Sequence, residues 1–138
     1  QSPVQAFARL DVLAGGTGQP DSPEAANRMR ELAAALSATS IPALMQAALV
    51  HADLLTTQAF GARSGLVARA AERLVLLARG VDPASLIVPE AGHLKLRAAY
   101  ESNLAAYATS RPAGLQAWLL YSAEAFAAGA EASPLVSG

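Results

Sequence analysis

Gln58-Ala59-Phe60-Gly61-Ala62-Arg63-Ser64-Gly65-Leu66-Val67-Ala68-Arg69 reads as a loop that runs straight into a helix. Apolar helical segments lie on both sides of it. Behind the loop, helical spacing starts at Ser64 or Gly65 and continues to Arg79. Gly80 is placed as the C-terminal cap of that helix, with Pro83 just beyond. Ahead of the loop, Ser40 is placed to cap a helix with Pro42 in its first turn, ending near Thr57. Leu44, Ala48 and Leu55 make that helix apolar on more than one side, as in a central helix.

Further out, Asp21-Ser22-Pro23-Glu24 is a helix start. Asp21 or Ser22 can cap, Pro23 suits the first turn and Glu24 favours the positive end of the dipole. That helix runs to about Ser37 on an apolar side of Met29, Leu32 and Leu36. Gln5 to Ala14 reads as a short helix with Phe7, Leu10 and Leu13 at helical spacing, and Gly15 to Pro20 as a flexible loop. Beyond the connector from Asp82 to Pro89, one helix is predicted from Glu90 to about Thr109, with Leu94, Leu96, Tyr100, Leu104 and Tyr107. Arg111-Pro112 breaks it. A last helix runs from Ala113 to about Ala132, with Leu115, Trp118, Leu119, Ala123 and Phe126 on its buried side, and 133–138 is a tail. No alternating strand pattern and no repeat of constant period occurs. The expectation is an all-α, single domain over 1–138, a bundle of about six helices around a central apolar helix pair.

Composition supports this. Hydrophobic residues make up 53% and charged residues 15% of the 138 residues, against about 25% charged in average domains. Alanine, the best intrinsic helix former, is abundant. A surface so poor in charge suggests that part of it is covered by a protein partner or by further copies of the chain; an alanine-rich monomer is the plain alternative. The net charge of −1 and the scattered arginines give no pull toward nucleic acid. With no cysteine, disulfides and thiolate metal sites are excluded, which fits a cytoplasmic protein. No apolar run approaches the ~18 residues of a membrane span, and no signal peptide is visible. A start at Gln1 rather than Met points to a piece of a longer chain.

The loop resembles the active-site signature of the Fic/Doc (Fido) family, H-P-F-x-[D/E]-G-N-G-R-x-x-R. Phe60, Gly65 and Arg69 fall on the pattern. His51 stands before the loop as in the family, Leu74 to Asp82 resembles its apolar helix ending in glycine, and Tyr100-Glu101-Ser102-Asn103-Leu104 resembles its Y-x-x-x-L segment. Trp118 stands where the last helix carries a bulky apolar residue. The resemblance covers roughly Pro23 to Ala130 and implies a Fic-like helical bundle. Family members typically move AMP from ATP onto a target hydroxyl, a reaction called AMPylation. Their histidine is the general base, their acid holds magnesium, and their glycine-rich turn and arginines bind phosphate.

In this chain most of that chemistry is replaced. Gln58 stands at the histidine position and its amide has no useful basicity. Loss of such a base is worth about 10²–10⁴-fold in rate. Ala62 stands at the acid position and cannot ligate a metal. Arg63 replaces the first motif glycine, Ser64 the asparagine and Leu66 the first arginine, where an aliphatic chain suits packing. The β-hairpin flap of the family is reduced to the Gly15–Pro20 stretch, and no inhibitory S/T-x-x-x-E-[G/N] helix is found.

No catalytic residue and no metal ligand set is therefore expected. A possible anion site remains at Arg63, Ser64, Gly65 and Arg69, where free N–H groups and guanidinium groups meet a helix N-terminus. Its plain alternative is a capped helix with solvated arginines, with Arg69 paired to Glu72. His51 is expected to be a hydrogen-bonded core histidine and His93 a helix-surface residue. The resemblance implies a pseudoenzyme that works by protein–protein interaction, with no cofactor. Two alternatives stay open: a sensor that binds a nucleotide or phosphate, and an AMP-transferring enzyme with a non-standard site. Only these two bring in ATP and magnesium.

Overall fold

The computed structural model describes residues 2–37, 40–82 and 89–131. The connector residues 83–88 and the 133–138 tail lie outside the described residues. Seven α-helices and no strand occur among the described residues. They are α1 (Pro3–Leu13), α2 (Pro23–Leu36), α3 (Ala43–Thr56), α4 (Ser64–Ala78), α5 (Pro89–Lys95), α6 (Arg97–Ala108) and α7 (Pro112–Glu131). The protein is all-α. Its chain packs as two compact units, Gln1–Val75 and Leu76–Gly138. No helix among the described residues is long and apolar enough to cross a membrane.

In the first unit the helix ends follow local chemistry. The Ser22 side chain accepts from the Ala25 amide and Pro23 opens α2. Ser2 and Gln5 form a capping box at α1, two residues ahead of the predicted start. At α3 the cap is Pro42, with no side-chain bond, instead of Ser40. Proline has no side-chain acceptor, so it gives the first free amides of α3 no cap bond. Buried positions Gln46, Ala47, Ala48, Val50, His51, Ala52 and Leu54 run almost around α3, as a central helix requires. Gln46 donates to the Leu36 carbonyl at 3.0 Å, which serves the exposed end of α2. Phe7, Met29, Leu32, Val50, Leu54, Phe60 and Val67 form the core. Leu13, predicted on the inner side of α1, is instead exposed at its last turn.

In the second unit the predicted helix from Glu90 to Thr109 is two helices. Leu96 breaks it, with φ −108° and ψ 35°, although neither glycine nor proline marks the spot. Tertiary packing accounts for the break. Both α5 and α6 pack on α7, and each does so at a glycine. A Cβ on Gly92 would run into the Ala125 carbonyl, and one on Gly114 into the Ala106 carbonyl. The bend lets both close contacts form. The inner side of α7 is Gly114, Trp118, Tyr121, Ala125 and Gly129. Of the predicted buried side, Trp118 is buried and Leu119 and Phe126 are half-buried, while Leu115 and Ala123 are exposed. Small residues that admit close approach, together with Trp118, set the register more strongly than the larger aliphatics.

Candidate functional site

The loop begins where α3 ends. Thr56 and Thr57 donate their hydroxyls to the carbonyls of Ala52 and Asp53, both at 2.7 Å. Gln58 then turns into the left-handed region at φ 50°. Its side-chain amide donates back to the Leu55 carbonyl at 2.7 Å. The residue at the histidine position of the family pattern thus closes a helix end. A non-glycine residue in this conformation carries a steric cost, offset in part by that bond.

Ala59 and Phe60 are fully buried. Phe60 anchors the loop in the core, a burial worth about 1.5–3 kcal/mol. The Ala59 carbonyl accepts from the Asp21 amide at 2.9 Å, tying the loop to the start of α2. Gly61 has φ 57° and begins a 3-10 turn, Gly61–Arg63. A Cβ there would meet the Asp21 carboxylate, and the left-handed conformation also favours glycine. Ala62 is exposed and offers no ligand atom.

Arg63 turns toward α1. Its Nε donates to Asp11 Oδ1 at 2.6 Å. Asp11 is fully buried, and its other oxygen accepts from the Gly18 amide at 2.9 Å. The Gly16 amide donates to the Asp11 carbonyl at 2.8 Å. A side chain at Gly16 would collide with both the Asp11 carboxylate and the Arg63 guanidinium. The stretch Gly15–Pro20 is therefore built around one carboxylate. The hydrogen bond that Arg63 donates to Asp11 raises the Arg63 pKa; partial desolvation opposes it, and the charges of Asp11 and Asp21 add to the rise.

Ser64 opens α4, but its hydroxyl faces inward. It is fully buried and accepts from the Phe60 amide at 3.0 Å. Gly65 is half-buried, and the position of its missing Cβ lies 3.3 Å from Arg69 Nη1. Arg69 itself is exposed. Leu66, expected to pack, is 52% exposed because it falls on the outer side of α4. Of the four residues proposed for an anion, two point elsewhere: Arg63 to Asp11 and Ser64 to Phe60. Gly65 and Arg69 remain adjacent. The carboxylates of Asp11 and Asp21 add negative charge at the loop, which disfavours an anion.

Asp11 and Asp21 were missed as loop partners. Asp11 did carry a signal, since it stands four residues after Phe7 and so on the same inner face of α1. His51 is buried and lies 2.8 Å from Glu72 through Nδ1, joining α3 to α4. Glu72 is thereby directed to His51, where the sequence had suggested Arg69. His93 is a correction of another kind. It is buried in the second unit, with Nδ1 2.7 Å from the Tyr121 hydroxyl and its ring 4.8 Å from that of Tyr100. The close seating of α5 at Gly92 draws it inward from the surface position predicted for it.

Compared with protein-family models, with curated proteins and with solved structures, the chain matches none.

Proposed function

We propose that this chain is a Fic-like domain whose transfer site has been converted into structural contacts, and that it acts by binding protein. The observation that carries the reading is the pair of Arg63 with buried Asp11. An arginine that stabilises phosphate must give its donors to the ligand. This one gives Nε to a carboxylate of its own chain. The rest of the loop agrees with the reading. The Gln58 amide is bonded to the end of α3, Ala62 cannot hold a cation, and the Ser64 hydroxyl is buried. Low charge content and exposed leucines such as Leu66 favour a covered surface.

A second reading, a phosphate or nucleotide sensor, is favoured by the guanidinium of Arg69 beside Gly65. Thermal denaturation with millimolar ATP and magnesium or manganese separates the two. The protein-binding reading expects an unchanged Tm. A ligand present at a hundred times its Kd adds about 2.7 kcal/mol to stability, so a rise of several degrees would overturn the reading in favour of the sensor. Transfer of label from radioactive ATP to a protein in lysate would overturn both and restore AMP transfer at a non-standard site.

A further inference from the structure

We propose that a second copy of this chain docks on the outer side of α4, and does so through the outer side of its own α7. The proposal rests on the protein-binding reading and names the partner.

At 3.6 residues per turn, Leu66, Ala70 and Leu74 share one side of α4, with Arg69 at its margin. Leu66 is 52% and Leu74 is 41% exposed, and Arg69 is exposed beside them. The acid of this helix, Glu72, lies on the other side, where it meets His51. The exposed residues that α4 itself contributes to this side are thus leucines and Arg69, with no carboxylate among them.

The outer side of α7 has the opposite character. Gln116, Leu120, Ala123, Glu124, Ala127 and Glu131 follow one another along it, and every one is exposed. Leu120, at 65% exposure, is its largest apolar group. No lysine or arginine occurs anywhere in α7. This side is therefore apolar and acidic. Glu131 already has an exposed contact with Lys95 at 3.9 Å, which leaves Glu124 as the more telling carboxylate.

Complementarity chooses between the ways two copies can meet. Packing α4 against α4 sets arginine against arginine, and α7 against α7 sets glutamate against glutamate. Packing α4 of one protomer on α7 of its partner pairs unlike charges and lays leucines over alanines. Such a contact joins different surfaces of the two copies.

The test is sedimentation velocity of the full chain over a wide concentration range at low salt. The expected result is a concentration-dependent shift from one chain to two or more, weakened by added salt. Arg69→Glu and Glu124→Arg should each weaken association about tenfold or more. Mixing the two variants should restore it, because the reversed α4 side of one meets the reversed α7 side of the other. Both positions are exposed, and unchanged helical circular dichroism confirms that the variants fold. Wild-type chain that stays monomeric throughout overturns the proposal, as does association that neither reversal weakens or that mixing fails to restore. Capture of a monomeric chain by phosphatidylserine vesicles also overturns it, assigning the leucine–arginine side to an anionic lipid surface. These outcomes leave the reading beneath it intact; only the ATP results described above bear on that.

Discussion

The loop at residues 58–65 and the α5–α7 unit are both tightly packed, but by different means. The loop is held by polar groups facing inward: Gln58 to Leu55, Asp21 to Ala59, Arg63 to Asp11, Phe60 to Ser64. The α5–α7 unit is held by glycines that let helix backbones touch and by rings around Trp118. A polar lattice fixes direction, because each bond has a geometry. Close apolar packing fixes volume, because each void is penalised. The loop therefore resists change in chemistry and the unit resists change in size.

The largest expected effect comes from the apolar side of the comparison. Trp118→Ala removes a fully buried ring from contact with Tyr100, Tyr107 and Tyr121. It should cost about 3–5 kcal/mol in urea denaturation, and a cost near zero would show that packing does not hold this unit. Asp11→Ala probes the polar side. It leaves the Gly18 amide without its acceptor and should cost about 1–3 kcal/mol. Because Arg63 is then released toward solvent, ATP binding measured in this variant checks whether Asp11 alone closes the loop to anions. The smallest effect is expected from Gln58→Gly. Relief of the left-handed strain and loss of the amide bond to Leu55 oppose each other, so Tm should move by no more than about 1 kcal/mol allows. A larger loss would mean that the amide bond dominates at that turn.

Legibility in the sequence divides along the same line. The cap of α2 at Ser22 and the turn at Gly80, φ 73°, were readable because a few neighbouring residues decide them. Helix existence was readable throughout from periodicity. The Arg63–Asp11 pair was not: Asp11 stands on the inner face of α1, but 52 residues separate the two and nothing near either one names its partner. The break at Leu96 was hidden for a related reason: its cause lies in α7, at Ala125 and Gly114, and not in its neighbours. The turn from α3 into α4 at residues 58–63 was readable from the glycines and the break in helical spacing. That Arg63 and Ser64 face inward was not, because a pattern of residue types holds no information about which way a side chain turns.

Gly16 gives the Asp11–Arg63 pair a consequence for how this sequence can change. Any side chain at Gly16 takes the space of the carboxylate and the guanidinium at once. An altered Asp11 strands the Gly18 amide, and an altered Arg63 strands a buried acid. The three positions thus depend on one another in space. Single steps away from this arrangement lose stability, and turning Arg63 toward solvent requires replacement of Asp11 first.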